Sequence, residues 1–510
     1  MSHYFNDVKA QPSNFVKDYI IPGWNDFVKH KHDIARQHFL AWIEQGKPNA
    51  GVALYNMRRS RADFKIALRY CRRFEEQIKT DACEHSLNFN DPQRFWKDVH
   101  RVGNDRAKSN VTCINGVYGN TQIADLWKNH FNTLYNSVNC SATKTSFCDR
   151  LANANEKCNF TVTVQNVTDA LKMQHKDKAP GPGGIKMEAY LYAGLRLNVH
   201  LAQLFNLFVS HSYLPTAFMD CVIIPLVKNK SGDLTDANNY RAIALSNVIT
   251  KILEAVLSPM LTTTHDADAY QFGFKAGHST TLCTHMLKST VQYYTSRGSN
   301  VFACFIDFSK AFDMVNYWKL FSMLLDDKVE TCIVELMAFW YSNQNLKVCW
   351  LNVQSSPFKV SNGTRQGSLI SPYLFSRYIR GVVAAIVSSR IGCNIGGKFI
   401  NILCYADDMV LIAPSWHALQ CLLNLLALEI ALIDMTCNIK KTCCMIFRSS
   451  SNYSQLIDPV PHLTMNGAAL NFVNSFKYLG HIICNTLGDN ADINREIRNM
   501  YIRANVLAGT

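Results

Sequence analysis

The spacing of apolar and polar positions changes character several times along the chain. From Arg58 to Lys79, Phe64, Ala67, Leu68, Cys71 and Ile78 fall on one stripe at helical spacing. Arg58, Arg59, Arg61, Lys65, Arg69, Arg72, Arg73 and Lys79 supply the polar surface. This predicts a basic amphipathic helix, whose cations either solvate one face or grip a polyanionic backbone. Residues 1–135 as a whole read as a helical, basic extension, whereas residues 136–160 are small, polar and aperiodic and are expected to be a linker. The cluster Lys178-Ala179-Pro180-Gly181-Pro182-Gly183-Gly184 predicts a tight turn.

An apolar run from Val222 to Val227 reads as a strand, and Ser246 as the N-cap of a helix over 247–257 that Pro259 should help stop. Residues 301–306 (VFACFI) predict a fully buried strand ending at Asp307, with Ser309 capping a helix from about Lys310. In residues 398–414, apolar positions run to Tyr405 and resume at Met409, interrupted by Ala406, Asp407 and Asp408. That is the pattern of a β-hairpin with two adjacent carboxylates at its tip. Ser371-Pro372 predicts a helix start, N-cap then N1 proline, for a helix burying Leu374, Phe375, Tyr378, Val382 and Ile386. Arg365-Gln366-Gly367 forms a turn just ahead of it. Leu419, Leu422, Leu423, Leu426, Ile430 and Ile433 share one helical face, so this richest apolar stretch is a core-packing helix; no stretch reaches the roughly 18 apolar residues a bilayer span requires.

A chain of 510 residues needs more than one core. Its formal net charge of +13 favours a polyanionic partner, because Lys and Arg that neutralise phosphates release counterions. The 18 cysteines include no C-x-x-C pair. Several, such as Cys304, Cys404 and Cys421, lie in apolar runs, and they are expected to be reduced, buried small hydrophobes of an intracellular protein. The first thirty residues, with Asp7, Lys9, Lys17 and Asp18, do not resemble a secretory leader.

The chemistry lies in the acids. Asp307 ends a buried strand, where a side chain faces a crevice rather than the core. Asp407 and Asp408 sit on a hairpin with apolar flanks on both sides, and buried acids need a partner. Two unit charges ~4 Å apart repel by about 4 kcal/mol at an effective dielectric near 20. If all three acids converge, Mg²⁺ is the natural counter-charge, since it prefers carboxylate and phosphate oxygens. Two such ions ~3.5–4 Å apart can clamp an in-line phosphoryl displacement.

In this order, Asp307 with Phe308 and Phe312, Arg365-Gln366-Gly367-Ser368 through Ser371-Pro372, and Tyr405-Ala406-Asp407-Asp408 resemble the reverse transcriptase family. Ala179-Pro180-Gly181-Pro182, Tyr240-Arg241, Gln271-Phe272-Gly273-Phe274, Asn438 with Lys441-Thr442, and Tyr478-Leu479-Gly480 narrow the resemblance to enzymes of non-long-terminal-repeat (LINE-type) retrotransposons. Gly184 and Ala242 stand where that family usually has Asp and Pro. The resemblance implies an α+β right-hand polymerase: a linker-joined basic extension, fingers over 161–300, a palm with an antiparallel sheet over 301–485, and the start of a truncated thumb over 486–510. It implies two Mg²⁺ ions on Asp307, Asp407, Asp408 and the Phe308 carbonyl, and Lys441 as proton donor to the leaving pyrophosphate. Lys228 and Arg241 would meet the triphosphate, Phe312 would exclude a 2′-hydroxyl, and Arg365, Gln366 and Gly367 would line the nucleotide and template pocket. Tyr478, Leu479 and Gly480 would grip the primer. The implied partners are an RNA template, a DNA primer and deoxynucleoside triphosphates, with no membrane.

Two other readings stay open on sequence. A viral RNA-dependent RNA polymerase would use Asp313 to read a 2′-hydroxyl, but an aromatic five residues after Asp307 and Ala406 ahead of the acid pair disfavour it. An inactive RNA-binding remnant would keep the basic surface and lose turnover.

Overall fold

The computed structural model describes residues 24–75, 77–81, 111–153, 160–230, 232–261, 269–275, 277–449 and 461–508. Residues 1–23 and 82–110 of the expected extension, and 154–159 of the expected linker, lie outside these. The chain divides into two compact units, one of residues 1–110 with 494–510 and one of residues 111–493.

In the first unit, helices α1 (Lys29–Glu44) and α2 (Val52–Arg73) pack together. The apolar stripe forms their seam: Cys71 and Ile78 are buried with Val28, and Phe64, Ala67 and Leu68 pack against them. The arginines of α2 remain exposed.

The second unit starts earlier than the expected boundary at 135. Helix α3 (Asn120–Leu134) buries Ile123, Ala124, Trp127, Phe131 and Leu134, a helical stripe that packs on the first of the two larger sheets. The expected linker also holds a helix, α4 (Ser141–Ala152). Its amphipathicity is weak, which hides it from periodicity. It is docked by the single buried ring of Phe147, against Trp318 and Phe321, and by an Arg150–Asp326 ion pair of 2.7 Å.

Among the described residues the longer helices that follow are α5 (Val164–Lys172), α6 (Leu195–His211), α7 (Val248–Leu261), α8 (Thr280–Thr295), α9 (Tyr317–Asp326), α10 (Thr331–Ser342), α11 (Ser371–Ser388), α12 (Trp416–Leu432) and α13 (Asn490–Ala508). Three expected helix signals resolve differently. Pro259 lies inside α7, which continues to Leu261, and the Ser246 hydroxyl is engaged by Arg365 rather than by a helix terminus. Ser309 caps nothing: a short 3₁₀ turn, Ala311–Met314, intervenes, and α9 is capped by Asn316, which accepts from the Trp318 and Lys319 N–H groups. Ile370, not Ser371, is the N-cap of α11. The Pro/Gly turn forms as expected. Gly181 lies so close to the Ser246 carbonyl that a Cβ would meet it at 2.2 Å, and Gly184 has φ +70°, a conformation suited to glycine.

The first sheet contains β1 (Asp220–Val227), β2 (Tyr240–Ser246) and β4 (Asn345–Trp350), in the order β2-β1-β4. The second contains β3 (Val301–Ile306), β5 (Ile402–Tyr405), β6 (Asp408–Ala413), β7 (Cys443–Phe447) and β8 (Asn471–Phe472), in the order β5-β6-β3-β7-β8. It is antiparallel except for β7–β8. All six residues of β3 are buried because both faces are covered. Phe302, Cys304 and Ile306 join the core with residues of α9–α12, and Val301, Ala303 and Phe305 join the core with residues of α8 and a further hairpin, β9 (Ser475–Tyr478) and β10 (His481–Cys484). That double burial is why the strand reads as an unbroken apolar run. Cys304 and Cys404 are buried free thiols and Cys421 is a half-buried free thiol, whereas Cys332 of α10 is disulfide-bonded. Among the described residues no helix is long and apolar enough to cross a membrane.

Candidate active site

The geometry follows from strand register. In the β6–β3 ladder Met409 pairs with Ile306. Carried one step beyond the last pair, this register would set Asp408 opposite Asp307, and both hairpin acids feel the Asp307 charge. Tyr405 pairs with Asp408, so Ala406 and Asp407 form a two-residue turn, with Ala406 at φ 57°. Asp307 and the distant Asp407–Asp408 pair thus reach one end of the sheet.

Both the hairpin tip and Asp307 are braced. The Gln271 side chain clamps the hairpin tip: its Oε1 accepts from the Ala406 N–H (2.8 Å) and its Nε2 donates to the Ala406 carbonyl (3.3 Å). The Phe272 N–H donates to the Cys404 carbonyl at 2.7 Å. On the other side, the Asp307 carbonyl accepts from the Asn438 N–H (2.7 Å), and the Asp307 N–H donates to Thr442 Oγ1 (3.3 Å). Phe308 bridges to Cys437.

The acids perturb one another. Burial, then Asp407 and Asp307, push Asp408 up to about 6, against the pull of Arg241. Its side chain keeps a solvent-exposed edge, so the neighbouring charges are the firmer cause. Burial also raises Asp407, with Asp307 adding to it, while its own backbone N–H and Arg241 oppose. Among the described residues, no three His, Cys, Asp or Glu side chains are already closed into a metal chelate. The donor set nevertheless fits a hard divalent cation: the sheet brings the carboxylates to one end, and a cation between them would relieve their mutual repulsion.

Arg241 faces the acid pair. Lys228 is held below its ordinary pKa by burial and then by Arg241, with Lys441 and Lys310 contributing in the same direction and Asp313 opposing. Lys228 Nζ donates to the Asn238 carbonyl at 2.9 Å. Four cations thus lie within electrostatic reach of Lys228 or are Lys228 itself, with Arg241 also beside the acids, and the sequence points to three of them. Lys310, at φ 54° just beyond the end of β3, is the fourth; in sequence it reads only as a helix start. Beside it opens a cavity of about 530 Å³ lined also by Asn129, His130, Thr133, Leu134, Ser137 and Met314.

Phe312 stacks on Phe375 of α11 (centroids 4.3 Å apart, planes at 22°) and meets Phe274 edge-on at 6.4 Å. Gln366 and Gly367 lie at the surface of the same region, Gln366 donating to Asp313 Oδ1 at 3.4 Å. Asp313 is buried, its carboxyl pushed by burial up to about 6 against Tyr135, Lys310, Gln366 and Lys228. It is turned inward and engaged, unlike a reader of substrate hydroxyls.

Two expected roles are corrected. Arg365 is only 4% exposed and is bonded to Ser246 and Glu254, so it cannot line a substrate pocket. Tyr478 is 2% exposed, packed on Phe305 with its hydroxyl 3.7 Å from Cys283 Sγ. It anchors the β9–β10 hairpin from below. Of the three residues expected to grip the primer, Gly480 (φ 87°) is exposed and Leu479 (φ 49°) half-buried.

Carboxylates gathered at a sheet end beside an arginine are the makings of a nucleotidyl-transfer centre, where positioning and charge neutralisation do the catalysis. Residues 227–483 match the family model described as reverse transcriptase (RNA-dependent DNA polymerase), and the chain belongs to that family. It is 24% identical over 314 residues to the Pol polyprotein of a type-1 retrotransposable element R2 from Popillia japonica, covering 60% of this chain and 43% of that one. It is also 24% identical over 340 residues to the RNA-directed DNA polymerase of mobile element jockey from Drosophila funebris (64% and 35%). A type-1 element R1 Pol polyprotein from Bradysia coprophila is 24% identical over 401 residues (76% and 37%). The LINE-type resemblance is borne out, and the chain spans less than half the length of these relatives.

Proposed function

We propose that this chain is the RNA-directed DNA polymerase of a non-long-terminal-repeat retrotransposon, extending a primer 3′-hydroxyl along an RNA template. The observation that supports the reading is the strand ladder whose register brings the end of β3, just ahead of Asp307, beside the start of β6, with all three acids and Arg241 acting on one another. In this reading residues 161–300 are the fingers, 301–485 the palm, and 486–510 the start of the thumb.

Asp307, Asp407 and Asp408, with the Phe308 carbonyl, would hold two Mg²⁺ ions. When bound, these supply Lewis acidity at the primer hydroxyl and neutralise the triphosphate. Lys228 and Arg241 orient the β- and γ-phosphates, and Lys441 gives a proton to the departing pyrophosphate. Phe312, backed by Phe375, occupies the space a 2′-hydroxyl would need. Gln366 and Gly367 border the nascent base pair, and the Leu479–Gly480 turn supports the primer end. The test is primer extension on an RNA template with Mg²⁺ and deoxynucleotides, comparing the chain with Asp407→Ala. Loss of extension is expected; extension that survives the substitution would eliminate this site.

A further inference from the structure

We propose that Glu254, a carboxylate buried in the middle of α7, is the positioning residue for the nucleotide-facing turn Gln366-Gly367; this rests on the polymerase reading above. Glu254 is 0% exposed and sits among apolar neighbours on its own helix, including Leu253, Ala255 and Leu257. Both of its oxygens are spent on the loop that carries the turn. Oε1 accepts from Arg365 Nη2 (3.1 Å) and from the Ser368 hydroxyl (2.9 Å), and Oε2 accepts from the Leu369 N–H (2.8 Å). One bond falls before Gln366-Gly367 and two fall after it, so the turn is held at both ends by one side chain.

The rest of the setting leaves the turn no second position. Arg365 Nη1 donates to the Ser246 hydroxyl at 3.2 Å, and the guanidinium lies 4.7 Å from the centre of the Trp340 ring. The Gln366 carbonyl accepts from the Ala244 N–H at 2.7 Å. A Cβ on Gly367 would meet the Ala244 carbonyl at 2.9 Å, so the loop runs flush against β2, the strand that also carries Arg241. A buried ion pair is a weak source of net stability, because desolvation offsets its Coulomb gain. What this one supplies is register: a carboxylate with three donors converging on it has a single satisfactory arrangement.

The test is steady-state primer extension with Glu254→Gln and Ser368→Ala, alongside equilibrium binding of a deoxynucleotide to the chain on a chain-terminated primer–RNA template. Gln keeps one acceptor oxygen but turns an NH₂ group toward a donor, which releases one end of the turn. The expected result for Glu254→Gln is a deoxynucleotide KM raised about 10- to 100-fold with kcat within about 3-fold of the parent. Ser368→Ala, which removes one bond of three, should raise KM about 2- to 5-fold with an unchanged melting temperature. Should Glu254→Gln fail to fold, Ser368→Ala decides alone. Unchanged KM and nucleotide affinity in the folded variants would overturn the proposal while leaving the polymerase reading intact. A parent chain that neither extends a primer nor binds the deoxynucleotide overturns both.

Discussion

Gly273→Ala is a demanding test of the site because the perturbation is one methyl group and its target is backbone. A Cβ at residue 273 would lie 2.4 Å from the Ala406 nitrogen, 3.1 Å from Gln271 Oε1 and 3.1 Å from the Tyr405 carbonyl carbon. Comfortable contact begins near 3.5 Å, so the hairpin tip and the 271–273 segment must separate by roughly 1 Å. That opening strains both hydrogen bonds of the Gln271 clamp, and overpacking of this kind costs about 1–3 kcal/mol. The larger effect is expected on rate. A displacement of about 1 Å in a catalytic group costs on the order of 100-fold, and Asp407 is the next residue after Ala406. The assay is kcat for primer extension beside a thermal melt. Gly381→Ala serves as control: it lies in α11 with open space around its Cβ, and should be neutral or slightly stabilising. If Gly273→Ala retained kcat within about 3-fold of the parent, the inference that this clamp sets the position of the acids would be wrong.

Phe312→Val should admit ribonucleotides, read as a fall in the ratio of kcat/KM for deoxy- over ribonucleotide; an unchanged ratio places sugar discrimination elsewhere than on the Phe312–Phe375 stack. Asp313 gives a pH signature. Its native pKa is raised from 3.8 to about 6, so the folded state holds the proton more tightly than the unfolded state. Stability from this group is therefore highest at low pH and falls as pH rises from about 4 through 6, by about 3 kcal/mol in all. Asp313→Asn should accordingly be more stable than the parent at pH 7.5 and not at pH 4, measured by urea unfolding; equal differences at the two pH values would contradict the assignment. Gly480→Ala places a side chain at φ 87° with no steric neighbour, so it should cost only roughly 1–2 kcal/mol of local strain. A weakened primer affinity beyond that small destabilisation, read by titration of labelled primer–template, is the expected sign that this turn touches the primer.

Much of the site is legible in the sequence because it lies where periodicity breaks. Asp307 ends an all-apolar strand, and Asp407 and Asp408 interrupt one. What stays hidden depends on contacts between distant segments. Glu254 looks like a stray charge on an apolar helix until Arg365, 111 residues away, is seen beside it. Tyr478 is expected from the resemblance to grip the primer, yet it is buried against Phe305 of β3. Helix α4 leaves no periodic trace because Phe147 is its one fully buried side chain, too little to impose a period. Ser309 and Ser371 are sound capping residues locally, but tertiary packing moves the helix starts to Asn316 and Ile370.

The interleaved order of the acid-bearing sheet also governs how the chain is born. Strand β3 is central, yet both of its ladder neighbours, β6 and β7, follow it by about a hundred residues or more. At about 5–20 residues per second, a ribosome needs several seconds to bring out the first of them. Throughout that interval a strand apolar on both faces has no mate, which makes it a natural template for association with other nascent chains. A message cut short ahead of codon 408 would thus be expected to yield an aggregating product rather than a merely sluggish polymerase.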